Sequence, residues 1–297
     1  MDTSFLSSFP DVPAIAPHAL AAQLRRADAP LLLDVRREPK FRESAAILAG
    51  AQRCRPEDVA ALATAQPPRK VIVYCVYGHE VSADAVRVLR EAGWDAQALA
   101  GGFEGGEDGV DSAADIARWR AQRPLRLTRR ADLGVTGEQV SRWITRERPK
   151  IDRIACPWLV LRFIDPRAEF LYVPAATVLD EARRVDAIAY DIPGAPLTHD
   201  GELCSFDALL KAFDLRDPAL DCLARIVRGA DTARPELAPQ SAGLLALSLG
   251  LSRLHHGDDH AMLAAALPLY DALYAWCGGA QGEGHDWNPA AMTWGAR

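Results

Sequence analysis

One cysteine, Cys75, stands where a strand, a short loop and a helix should meet, in the stretch KVIVYCVYGHEVSADAVRVLREAG. Residues 70–74 form the β-branched and aromatic run that a buried strand requires. Ser82 is a candidate N-cap, with Val86, Leu89 and Arg90 following at helical spacing until Gly93 stops the helix. Between them Cys75, Val76, Tyr77, Gly78, His79, Glu80 and Val81 must turn sharply, and Gly78 supplies the backbone freedom. A thiol there faces the free N–H groups and positive dipole end of the next helix, which favour thiolate and suit a nucleophile. The competing reading is a buried cysteine that ends a strand and does no chemistry. His79 is the sole titratable base beside the thiol; it either helps hold a thiolate or is an exposed loop histidine.

The second half carries two further groupings. His199-x-x-Glu202-x-Cys204 sets three residues able to ligate a transition metal in a short turn after a strand. Asp231, or the run from His255 to His260, could complete the set. Mixed N, O and S donors suit zinc or iron better than magnesium. A capping turn before a helix at Ser205 explains the same residues without a metal. Arg146, Arg148, Lys150, Arg153 and Arg162 surround a Cys-Pro-Trp turn. Of these, Arg146, Lys150, Arg153 and Arg162 are candidates to hold an oxyanion such as chromate by charge-assisted hydrogen bonds. The alternative is a solvated basic face paired with Asp152, Asp165 and Glu169. Cys156 is either a redox thiol near these arginines or a core cysteine.

The elements that must position these groups alternate. Strand-like runs at residues 30–35, 51–53, 70–74 and 95–99 are separated by helical segments at 56–63 and 82–92, with Ser112 capping another through residue 120. That order predicts an open, mostly parallel sheet with helices on both faces. Residues 121–137, rich in Arg with Pro, Gly and Thr, read as a solvated linker. Beyond it, strands at 142–145, 169–173 and 187–192 accompany helices at 151–163, 205–213, 217–228, 239–249 and 258–276. The second domain is therefore α/β with a mainly helical C-terminal half. The expected boundaries are 20–122 for the first domain, 123–137 for the linker, 138–278 for the second domain and 279–297 for a tail.

The chain has 297 residues, 49% of them hydrophobic and 25% charged, which fits two globular domains and not a disordered segment. Its 34 basic and 40 acidic residues leave a net charge of −6, which gives no support for a nucleic-acid binder. No apolar run is long enough for a membrane span. The N-terminal MDTSFLSSFPDVPAIAP has no basic n-region or continuous apolar core, so no secretory signal is expected. Six dispersed cysteines fit reduced thiols and a cytoplasmic location. Oligomeric state is left open.

LLLDVRREPKF, AGAQRCRPEDV, VIVYCVYGHEVS and ALAGGFEGG occur in that order and resemble rhodanese domains, sulfurtransferases that carry sulfur as a cysteine persulfide. The match covers about residues 25–120. It implies that Cys75 is the persulfide carrier, that Asp34 and Arg36 support the fold and site, and that residues Val76 to Ser82 form the substrate loop. The implied partner is a small sulfur donor such as thiosulfate, or a thiol protein, and no cofactor is required. The family's loop closes with Gly-x-Arg-Ser, whose arginine helps bind the anion. Here the loop reads GHEVS, one residue longer and without arginine. Val81 also stands where the C-x5-R loops of phosphatases and arsenate reductases carry theirs, so a phosphate or arsenate dianion would meet Glu80 with no guanidinium to offset it. Phosphatase chemistry is therefore not expected, and a persulfide or thiol donor is favoured over thiosulfate. The histidine usual near RESAAILAGA is also absent.

RWITRERPKIDRIACPWLVLRFIDPRAEFLYVP, HDGELCSFDALL, IVRGADT and LPLYDALYAWC are similar to the C-terminal domain of ChrB-type chromate-resistance proteins, over residues 143–277. The resemblance implies a setting of chromate or other oxyanion stress. The expected function is a persulfide-handling enzyme in that setting; the alternative is a chromate- or metal-responsive regulator whose rhodanese-like fold is a non-catalytic binding module.

Overall fold

The computed structural model describes residues 12–24 and 26–284. The described chain separates into two compact units, one ending at Arg129 but including residues 136–138, the other taking residues 130–135 and 139–284.

In the first unit the elements run β1 (Ala14–Ile15), α1 (Pro17–Ala21), β2 (Leu31–Asp34), α2 (Glu38–Glu43), β3 (Ala46–Leu48), β4 (Gln52–Arg53), α3 (Val59–Ala65), β5 (Lys70–Tyr74), α4 (Glu80–Glu91), β6 (Asp95–Leu99), α5 (Ala113–Ala121) and β7 (Arg126–Thr128). Five strands form a parallel sheet in the order β1-β6-β5-β2-β4. The chain crosses outward from β2 to β4 on one side and from β5 to β6 on the other, so the strand order reverses between β2 and β5. Such a reversal opens a crevice at the carboxyl ends of the two strands, where ligands bind in open α/β sheets. Cys75 leaves β5 there, and Asp34 and Arg36 leave β2 beside it. Leu33, Val71, Val73, Val86 and Leu89 are among the apolar side chains that bury the sheet against its helices.

Two expectations are corrected in this unit. The helix after Cys75 starts at Glu80 with His79 as N-cap, so Ser82 is a buried first-turn residue and not the cap. The arginine-rich segment is not a free solvated linker along its length, because β7 pairs antiparallel with β3. Arg129 donates to the Phe41 carbonyl at 2.8 Å, and its guanidinium lies over the Phe41 ring.

The second unit contains β8 (Arg142–Arg146), α6 (Asp152–Leu159), β9 (Glu169–Val173), α7 (Val178–Val185), β10 (Ile188–Ala189), α8 (Ser205–Ala212), α9 (Pro218–Asp231), α10 (Gln240–Leu254) and α11 (Asp259–Ala275). The three strands form a parallel sheet, β10-β8-β9, and the later half is helical. Both units thus have the mixed α/β architecture expected of them. Pro157 does not break α6. It cannot donate to the carbonyl four residues back, and that acceptor, on Arg153, takes the Tyr190 hydroxyl at 3.3 Å instead. A wider turn at Val160–Ile164 ends the segment. Trp158 fills the core, packed on Phe163, Phe206, Tyr270 and Tyr274.

No helix among the described residues is long and apolar enough to cross a membrane. The tail expected at 279–297 lies outside the described residues from 285 on.

Candidate functional sites

Cys75 is 5% exposed, and its Sγ lies 3.3 Å from Ser82 Oγ. Its own carbonyl and that of Val76 accept the Phe103 amide, at 2.9 and 2.8 Å, and Val76 also accepts from Glu104. The loop is therefore strapped to the GGFEGG turn that follows β6. The approach is backbone to backbone: a Cβ on Gly78 would stand 2.9 Å from Gly101 N, and one on Gly102 2.7 Å from Cys75 O. Only glycine fits at that spacing, and both have positive φ (82° and 59°). Among the described residues the amides of Val76, Tyr77, Gly78 and His79 donate to no protein acceptor. Successive free N–H groups in such a turn form an anion-binding concavity. A cavity of about 350 Å³ beside it is walled by Val76 and Tyr77 of the loop and by Arg36, Lys40, Phe103 and Glu104.

Asp34 and Arg36 form a buried ion pair under this loop, 0% and 1% exposed. Arg36 Nη2 reaches Asp34 Oδ2 at 2.6 Å, its Nε reaches both carboxylate oxygens at 3.0 Å, and the Tyr74 hydroxyl donates to Oδ2 at 3.0 Å. Arg36 also donates to the Ala46 carbonyl and covers the Phe103 ring at 4.1 Å. Arg126 covers the same ring at 3.8 Å. Phe103, which holds the Cys75 loop through its amide, is thus clamped between two guanidiniums. Arg126 was missed in the sequence because nothing local ties an arginine after α5 to a turn after β6.

His79 behaves as neither sequence reading supposed. Its Nε2 sits 2.9 Å from Asp111 Oδ2 and its Nδ1 3.7 Å from Glu107 Oε2. Both ring nitrogens face carboxylates from the turn before α5, so the imidazole is neither free in solvent nor directed at the thiol. Glu80 and Val81 belong to the first turn of α4.

In the second unit the expected metal set is partly assembled and partly dispersed. His199 Nε2 lies 3.2 Å from Asp152 Oδ2, 3.3 Å from Asp191 Oδ1 and 3.2 Å from Asp231 Oδ2. Glu202 is elsewhere, exposed and paired with Arg234. Cys204 is fully buried as the N-cap of α8, its amide and Sγ both directed at Asp207 Oδ2. Glu202 and Cys204 are therefore removed from the candidate set, and Asp152 and Asp191 join it. Asp258, within the histidine-rich run, caps α11, and His260 packs edge-on to Tyr172.

Around this cluster, Ser205 donates from its amide to Asp152 and from its hydroxyl to Asp191. Arg146 and Arg153 both approach Asp191 Oδ2 at 3.2 Å. Burial, and then the charge of Asp152, push Asp191 upward; the same causes raise Asp231 to about 7. The hydrogen bond to Asp152 raises His199 to about 9. Ile151 and Asp191 hold left-handed φ of 47° and 50°, a costly conformation for a β-branched residue above all. Tyr270 OH donates to the Ile151 carbonyl at 2.7 Å, and the Ile151 amide donates to Ser248 Oγ, which fixes that turn and the direction of Asp152.

Of the cations proposed to hold an oxyanion, Arg146, Lys150, Arg153 and Arg162, the three arginines do not form one group. Arg146 and Arg153 are committed to Asp191, whereas Arg162 is gripped through two bonds of 2.9 Å by Asp271, which also accepts from Trp158 Nε1. Cys156 is 1% exposed, and burial pushes its thiol well above the usual range, which removes it as a redox candidate.

Residues 16–108 match the rhodanese-like domain family, and residues 143–277 match the ChrB C-terminal domain family. Protein ChrB of Cupriavidus metallidurans CH34 is 35% identical over 142 residues, which is 47% of this chain and 41% of that protein. This chain thus spans less than half the length of that relative. Among solved structures, a full-length protein from Lactobacillus plantarum is 26% identical, with a TM-score of 0.32, 39% of this chain and 87% of that one being covered. A rhodanese homolog from the extremely thermophilic bacterium Thermus thermophilus is also 26% identical, with a TM-score of 0.26, over 30% of this chain and 95% of that one. The chain joins a rhodanese-like domain to a ChrB C-terminal domain.

Proposed function

We propose that the first unit is a sulfurtransferase or persulfide carrier and that the protein acts in the cytoplasm in chromate or other oxyanion stress. The observation that carries this reading is the position of Cys75 at the carboxyl end of β5, ahead of four backbone amides without protein acceptors among the described residues. With thiosulfate the step is a sulfur transfer: the Cys75 thiolate attacks the outer sulfur, a Cys75 S–S bond forms, and sulfite leaves with the electron pair of the broken S–S bond. The persulfide anion left on Cys75 is then available to a thiol acceptor. A persulfide or thiol-protein donor suits the loop better than a free dianion, because Glu80 and Val81 stand where an anion-binding arginine would be useful.

Cyanolysable sulfur on the purified protein after incubation with thiosulfate or a low-molecular-weight persulfide tests this. About one equivalent is expected on the wild type and none on Cys75→Ala. Equal sulfur on both proteins would sink the proposal.

The same missing arginine favours a second reading, in which the rhodanese-like unit is a binding module of a chromate- or metal-responsive regulator. That reading predicts a chromate-dependent change in partner binding that survives Cys75→Ser.

A further inference from the structure

The carboxylates of Asp152, Asp191 and Asp231 come from the first turn of α6, the chain just after β10 and the last turn of α9. They converge on one atom, Nε2 of His199, at 3.2, 3.3 and 3.2 Å. One imidazole N–H can be directed at one acceptor, so hydrogen bonding by His199 accounts for only one of three near-equal approaches.

A metal ion accounts for all of these separations. A cation with bonds of about 2.1 Å holds neighbouring donors about 3.0 Å apart in an octahedron and about 3.4 Å apart in a tetrahedron. The observed distances fall between those limits. The donor atoms that all lie within 4.8 Å of one another are those of Asp152, Asp191 and His199, and Asp231 is tied to this set through its 3.2 Å approach to His199. Groups outside the cluster orient it as the outer shell of a metal site does: Ser205 holds Asp152 and Asp191, and Arg146 and Arg153 hold the far oxygen of Asp191. These arginines balance charge on the Oδ2 side, leaving Oδ1 directed at His199.

We infer that Asp152, Asp191, His199 and Asp231 form a binding site for one divalent first-row transition cation. One nitrogen and three carboxylate oxygens match manganese, iron(II) or zinc, and the imidazole makes calcium or magnesium a poorer fit. No thiolate takes part, since Cys204 is spent on the α8 cap. The side of the site carrying His199, which is 39% exposed, gives the ion a route from solvent.

Chelator-stripped full-length protein is titrated with Mn²⁺, and separately with Zn²⁺, by calorimetry, with Mn²⁺ electron paramagnetic resonance as a second readout. The expected result is one equivalent bound, affinity at least tenfold weaker in both His199→Gln and Asp231→Asn, and no change in Glu202→Ala, Cys204→Ser or Cys75→Ser. Metal-free thermal unfolding of each variant shows that the fold is retained, and two ligand variants guard against one of them failing to fold. Absence of stoichiometric binding of either ion would overturn the inference. So would wild-type affinity in folded His199→Gln or Asp231→Asn, or loss of binding in Glu202→Ala or Cys204→Ser.

Discussion

Ser82 Oγ lies 3.3 Å from Cys75 Sγ and donates its own proton to the His79 carbonyl at 3.0 Å. A hydroxyl has one proton, so the thiol is the donor of the pair while that bond stands. When the sulfur ionises, the hydroxyl must turn from the carbonyl toward the sulfur. Ser82→Ala removes that response. Alkylation of Cys75 by iodoacetamide at neutral pH should slow about tenfold, the equivalent of one hydrogen bond to a charged group of ~1.5 kcal/mol. An unchanged rate would show that the sulfur does not use the hydroxyl.

The other buried thiols give a pH-dependent contrast. Burial raises the Cys54 thiol to about 11, because it disfavours the charged form. At pH 8 roughly one Cys54 in a thousand is therefore thiolate, and labelling should rise about tenfold per pH unit until about pH 11. Peptide mapping after a short pulse of iodoacetamide at pH 8 should find Cys75 labelled ahead of Cys54, Cys156 and Cys204. Prior labelling of Cys54 would contradict the expected order.

The buried pair beneath the loop is costly to break from one side. Asp34→Ala strands the Arg36 guanidinium, 1% exposed, and removes the acceptor of the Tyr74 hydroxyl. The loss should be about 3–5 kcal/mol by urea denaturation monitored on the first unit's transition. A cost below about 1 kcal/mol would mean that water replaces the carboxylate.

Gly102 and Gly109 separate steric clash from backbone strain. Both have positive φ, but a Cβ at Gly102 meets the Cys75 carbonyl at 2.7 Å, whereas one at Gly109 meets nothing within 4 Å. Gly102→Ala should cost about 2–5 kcal/mol and impair sulfur loading of Cys75, and Gly109→Ala only about 1 kcal/mol. Equal effects would place the cost in φ alone.

Arg162 is a structural residue in this fold. Arg162→Ala should destabilise the second unit by about 1–3 kcal/mol, because the half-buried Asp271 loses its bidentate partner. Arg162→Lys should not restore it, since an ammonium cannot make both bonds. Chromate binding measured by calorimetry should be the same in either variant and in wild type.

Much of the architecture was legible because its determinants are local. The run from Lys70 to Tyr74, the stop at Gly93 and the strand from Glu169 to Val173 depend on side-chain type and spacing within a few residues. Caps were less legible: Ser82 has the chemistry of an N-cap, but its helix begins at Glu80 and leaves His79 as the cap, whereas the helix from Ser205 is capped by Cys204. Cys204 can serve because Asp207 closes the capping turn onto its amide.

Sequence alone determined the two-part α/β plan, the loop holding Cys75 and the absence of an arginine at Val81. It did not determine which charged side chains meet. Asp152, Asp191 and Asp231 are far apart along the chain, and their convergence on His199 follows from how α6, β10 and α9 pack. His79 is bound by Asp111 and Glu107, and Arg162 by Asp271, for the same reason. Strand and helix formation is written in neighbouring residues, whereas the partner of a buried charge is chosen by whichever distant group the folded chain brings within about 3 Å, because burying it unpaired is too costly.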